Sequence, residues 1–175
     1  MRASASALLV LIALAGGAAA ADEPAKPEAD VCASFDWPLA RELAWFSAPD
    51  LPTAASGATL PADRPAVLLT LKPAAEADLP QAPSREPKPG SFAGYVRVPA
   101  PAAPGEVQVT LSGEGWIDVA PEGGAVLKPG AHSGRKGCAT LRKSVRFKVD
   151  AKPLVVSVSN APAETVRIAV TPVEK

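Results

Sequence analysis

Histidine is almost absent from this chain: among 175 residues there is one, His132. A zinc or iron centre draws three or four ligands from His, Cys, Asp and Glu. One histidine with no spaced carboxylate pair beside it does not supply them, so neither a metal nor a cofactor is expected. A Ser–His–Asp arrangement needs only one histidine, but the Gly-x-Ser-x-Gly elbow that presents such a serine is missing. There is no Cys-x-x-Cys pair, no phosphate-cradling glycine loop and no internal repeat of useful length. The charges balance at 18 basic and 18 acidic residues, so overall charge gives no sign of a nucleic-acid partner, and none is expected. One absence is local. Between Lys128 and Lys148 the chain carries seven Lys or Arg residues and His132, and no carboxylate.

Long apolar runs are also lacking. The longest, Ala7–Ala15, is too short to span a bilayer comfortably, which takes roughly 20 residues. With Arg2 before it and Ala18-Ala19-Ala20 after it, the run has the form of a secretory signal peptide over residues 1–20. An uncleaved membrane anchor is the alternative. No cysteine stands at the cleavage point, which argues against a lipoprotein. The expected localisation is therefore periplasmic, with no transmembrane segment in the mature chain. Residues 21–31, rich in Ala, Pro and charge, read as a disordered lead-in. A single domain is expected over residues 32–175.

Only two cysteines are present, Cys32 and Cys138. In an oxidising compartment their default state is a disulfide. It would close a loop of about a hundred residues and contribute up to roughly 4–5 kcal/mol through loop-closure entropy.

What the chain has in excess is proline, 20 residues, well above an average usage of about 5%. Long helices do not fit between prolines so closely spaced, whereas short strands on turns do. One helix is expected, over residues 36–46. Asp36 can cap it, Pro38 suits its first turn, Leu39, Leu43 and Phe46 share a face, and Arg41 and Glu42 point away. Residues 47–65 read as a connection. Residues 73–90 form a Pro-rich loop, either a solvated arm or a lid. Strands are expected at 66–72, 92–98, 106–112, 116–120, 125–127, 141–149, 154–159 and 165–171. The fold class is mainly β: an antiparallel sandwich or jelly roll of about eight short strands with one short N-terminal helix.

The candidate site residues lie around the basic run. Alternation over 141–149 places Lys143 with Leu141, Val145, Phe147 and Val149, and places Arg142 and Arg146 with Ser144 and Lys148 on the other face. Lys143 then either snorkels out at the rim or pairs with a carboxylate, for which Asp118 is the candidate. If Ile117 and Val119 face the core, Trp116 and Asp118 point outward and can border a binding surface. If Trp116 is core instead, Asp118 is a buried acid that needs a partner. His132 sits in the Gly-rich loop. The basic face is either solvated edge protection or an anion-contacting surface. Trp116, Asp118, His132, Arg142, Lys143 and Arg146 are thus the candidate binding residues.

The order of Cys32 before a Trp/Leu helix, then Trp116-Ile117-Asp118-Val119, His132 with Cys138, and Leu141-Arg142-Lys143 with Val145 and Phe147 resembles a group of small exported alphaproteobacterial proteins. These often carry the label homogentisate 1,2-dioxygenase. That label implies a much larger cytoplasmic enzyme holding iron with two histidines and a glutamate, a set that one histidine does not supply. The resemblance therefore implies an exported family and not that activity. The rhythm of residues 106–170 is similar to the pre-peptidase C-terminal type of sandwich, which implies an accessory or binding module. The expected function is a periplasmic, non-catalytic binding protein for an anionic small molecule, a glycan or an envelope protein. The alternatives are the dioxygenase, a hydrolase using His132, and a subunit or assembly factor of an envelope complex.

Overall fold

Runs such as Glu-Val-Gln-Val-Thr-Leu and Val-Val-Ser-Val-Ser alternate in polarity, which suits a pleated strand with unlike faces, and flanking prolines keep each run short. In the computed structural model, which describes residues 27–173, these runs form two facing sheets. The expected signal peptide and residues 21–26 of the lead-in lie outside the described residues. The elements are α1 (Glu28–Cys32), α2 (Ala40–Ser47), β1 (Thr53–Ala55), β2 (Ala66–Thr70), β3 (Lys72–Pro73), β4 (Phe92–Val98), β5 (Gly105–Leu111), β6 (Trp116–Pro121), β7 (Ala131–Gly134), β8 (Lys143–Val149), β9 (Leu154–Ala161) and β10 (Thr165–Pro172).

One sheet has the order β1-β2-β10-β5-β8-β7 and the other β3-β4-β9-β6. All ladders are antiparallel except β1 with β2. Between the sheets lies an apolar core that includes Leu69, Val109, Leu111, Phe147 and Ile168 from the first sheet, and Val96, Val119, Val156 and Val158 from the second. The sandwich matches the expected class, but it holds ten strands among the described residues. The extra ones are β1 and β3, too short for a periodic signal, and β7, hidden in the Gly-rich loop. Residues 125–127 form no strand; the Leu127 amide instead donates to the Val119 carbonyl at the edge of β6.

The N-terminal segment corrects the helix expectation. Helix α2 begins at Ala40, and its N-cap residue Leu39 makes no side-chain cap. Asp36 caps nothing. Its carboxylate pairs with Arg135 at 2.8 Å, and that hydrogen bond, with one to Ser133, holds its pKa below the ordinary aspartate value. Residues 28–31, read as disordered, are helical. Both helices lie over the outer face of the six-stranded sheet as a third layer. Phe35, Leu39 and Phe46 pack there with Ala66, Ala169 and Leu141. The disulfide Cys32–Cys138 is present and fastens this layer to the segment between β7 and β8.

Beside this apolar patch the covered sheet face is polar, with Gln108, Thr110, Ser144 and Thr171 all buried. Glu42, expected to point to solvent, is 1% exposed. It accepts hydrogen bonds from Gln108 Nε2 and Thr171 Oγ1, both at 3.1 Å. Trp37 Nε1 donates to Ser144 Oγ at 3.3 Å, and Arg146 stacks on the Trp37 ring at 4.2 Å. A buried acid is tolerated here because it accepts these two hydrogen bonds and pairs with Arg41 at 3.6 Å.

The Pro-rich segment 73–90 crosses the outer face of the four-stranded sheet as a strap. Ser84 hydrogen-bonds Asp118 through both its amide, at 3.0 Å, and its hydroxyl. Asn160, in the left-handed region at φ 56°, clasps the strap farther along. Its Oδ1 accepts from the Lys88 amide at 2.7 Å, and its Nδ2 donates to the Glu86 carbonyl at 3.2 Å. The segment is therefore fastened at two points rather than solvated along its length.

Candidate functional site

Strands β6 and β7 are the last strands of their sheets, and with β8 they flank one open edge of the sandwich. Register determines what each presents there. On β6, Ile117 and Val119 join the core, so Trp116 and Asp118 project from the outer face, opposite Ser159 and Ser157 of β9. On β8, Val145, Phe147 and Val149 pack inward, which carries Lys143 inward at the strand's first position. His132 pairs with Val145 across β7 and β8 and shares its face.

These placements bring Trp116, His132, Arg142 and Lys143 around one cleft of about 340 Å³, with Ile117, Val145 and Pro129 as its apolar wall. Arg142 is not on the outer face with Ser144 and Arg146. The strand starts only at Lys143, and Leu141 is drawn into the helix-layer core, so the chain turns before the ladder begins. At that turn Arg142 Nε donates to Glu114 Oε1 at 2.6 Å, which fixes the guanidinium on the cleft wall.

Two candidates lie elsewhere. Asp118 is buried beneath Trp116, whose indole Nε1 donates to its Oδ1 at 3.1 Å and to Ser84 Oγ at 2.8 Å. Asp118 anchors the strap and does not pair with Lys143. Arg146 points into the helix layer, against Trp37 and Gln108, and is separated from the cleft by its own sheet. The expected continuous stripe of Arg142, Arg146 and Lys148 is thus divided between two surfaces.

Lys143 Nζ donates to the Gly115 carbonyl, and no carboxylate comes within ion-pair distance of it among the described residues. Burial holds its pKa below the ordinary lysine value. Glu114 opposes that shift, and the nearby Arg142 and Arg85 reinforce it. The bond to Gly115, just before β6, and that of Leu127 to Val119 within it occupy two backbone acceptors along this edge, which discourages strand addition there.

A second cleft, of about 530 Å³, opens on the other side of Trp116 and Lys143. The strap supplies Arg85 and Lys88 to it, and Arg85 stacks on the Trp116 ring at 3.9 Å. Neither residue stands out in the sequence, because both sit in a proline-rich stretch with no periodicity. The only hint is the alternation of charge in Arg85-Glu86-Pro87-Lys88.

No family model, curated protein or solved structure matches this chain. What the site can do is therefore argued from its own chemistry. Among the described residues no three His, Cys, Asp or Glu side chains gather as metal ligands. His132 shares its cleft with Arg142 and Lys143, whose charges repel a cation. The donor set does not fit the iron centre that the dioxygenase label implies. Cations held beside an aromatic ring and an apolar wall instead suit an anion with an apolar or ring-shaped body. No described helix is long and apolar enough to cross a membrane.

Proposed function

We propose that this chain is an exported, non-catalytic binding protein, and that its site is the edge cleft of Trp116, His132, Arg142 and Lys143. Kinship with the small exported alphaproteobacterial proteins belongs to the same proposal. The observation that carries the reading is Lys143, an inward-facing, half-buried ammonium whose bonded partner is a carbonyl, with no carboxylate within ion-pair distance among the described residues, beside an arginine already fixed in place. An anionic group entering the cleft supplies the missing charge. Charge-assisted hydrogen bonds contribute about 1.5–3 kcal/mol each. Glu114 competes for Arg142, so affinity for a single anionic group is modest.

Export is supported by the form of residues 1–20 and is compatible with the disulfide. Native mass spectrometry of the protein gently released from the periplasm tests both parts. The mature chain should begin near residue 21 and retain an anionic adduct that Arg142→Ser loses. A full-length chain confined to the cytoplasm would overturn export, and equal retention by Arg142→Ser would overturn the site.

A further inference from the structure

The two clefts are not independent. They share Glu114, Trp116 and Lys143, so these three form a ridge between them, with the Glu114 carboxylate occupied by Arg142. Cations lie on both sides of the ridge, Arg142 on one and Arg85 and Lys88 on the other, with Lys143 common to both. Glu114 is the single carboxylate lining either cleft. One anionic group would satisfy Lys143 and Arg142 and leave the far side unmatched. The second cleft is also held in shape: the Ser84–Asp118 and Asn160 clasps fix the strap on either side of Arg85 and at Lys88.

Building on the anion-cleft reading above, we infer that both clefts form one extended site for a linear acidic polysaccharide, with a carboxylate-bearing sugar in each cleft and the chain passing over the ridge. Side chains, not backbone, do the recognising. The Val119 carbonyl of β6 and the Gly115 carbonyl just before it are already engaged by Leu127 and Lys143, so an acidic peptide finds less edge left for strand pairing. A nucleic-acid partner would call for an excess of positive charge, whereas this chain carries 18 basic and 18 acidic residues. Arg85, held on the Trp116 ring at 3.9 Å, and Lys143 present fixed cations to charged sugar units, and joining two weak subsites on one ligand raises affinity through effective concentration.

The test is an NMR titration of the disulfide-intact protein at low salt with galacturonate, tetragalacturonate, methyl-esterified tetragalacturonate, tetraglutamate and a short oligonucleotide. Tetragalacturonate should bind at least tenfold tighter than galacturonate, and its ester should lose that gain. Arg85→Ser/Lys88→Ser should weaken tetragalacturonate binding at least fivefold. If galacturonate binds and the tetramer gains no more than the fourfold expected from counting its units, the extended site is wrong and the single anion cleft stands. If neither binds, both readings fall. Tetraglutamate or the oligonucleotide binding as tightly as tetragalacturonate would overturn the polysaccharide assignment.

Discussion

The disulfide is the most direct way to perturb the third layer. Cys32 and Cys138 are separated by 106 residues, so the cross-link removes freedom from most of the unfolded chain. For a closed loop near 100 residues, loop-closure entropy gives about 4.7 kcal/mol at 25 °C, and native disulfides commonly contribute about 2–5 kcal/mol. Both sulfurs are buried beside Phe35, Leu39 and Leu141, so Cys32→Ala/Cys138→Ala also loses a little packing. We expect the double variant to lose about 3–5 kcal/mol in urea unfolding. For a chain of this size that corresponds to a fall in Tm of roughly 6–20 °C. Because the effect lies mainly in the denatured state, the urea slope should rise as the unlinked chain expands. An unchanged midpoint and an unchanged slope would refute this reasoning and leave the helix layer held by packing alone.

Other consequences follow from single contacts. Glu42→Ala orphans the buried Gln108 amide and Thr171 hydroxyl, and at about 1–3 kcal/mol for each urea unfolding should show a loss of about 2–6 kcal/mol. Glu42→Gln keeps an acceptor and should lose less; equal stability of the Ala variant and the parent would contradict the network. Asp118→Ala removes the acceptor for Ser84 and Trp116, so hydrogen exchange at the Ser84 amide should quicken at least tenfold while β9 stays protected, and unchanged protection at Ser84 would show that the strap is held otherwise. Lys143 has a lowered pKa, so between its folded and unfolded values the unfolded chain binds more protons and stability rises with pH across that interval. An anion in the cleft should move the Lys143 pKa upward in an NMR titration; a pKa unmoved by bound anion would place the ligand elsewhere.

Sequence reasoning reached the fold class because its signals are local. The alternation of Phe92–Val98 and the Val-rich run from Leu154 specify strands whatever lies around them. It misjudged Glu42 and Arg146 for one shared reason. A polar strand face carrying Gln108, Thr110, Ser144 and Thr171 looks solvent-facing, but here it is the floor beneath a helix layer, and only tertiary packing reveals that cover. The site was legible in part. Trp116, His132, Arg142 and Lys143 do meet, because three of them belong to strands at one open edge and Arg142 sits at the turn into β8. Arg85 and Lys88 were not legible, since the clasps of Ser84 and Asn160 join residues 34 and 72 positions apart.

Whether the edge cleft takes an anion is best measured by following the Trp116 indole, the Gly134 amide and the Lys143 side chain by NMR as galacturonate is added at low salt. The account expects all three resonances to shift together with one dissociation constant in the millimolar range or below. That constant should rise about tenfold in Arg142→Ser, a change of about 1.4 kcal/mol, and again with added salt. Resonances that stay fixed up to tens of millimolar anion (roughly the weakest affinity of interest), or shifts indifferent to Arg142→Ser, would contradict it.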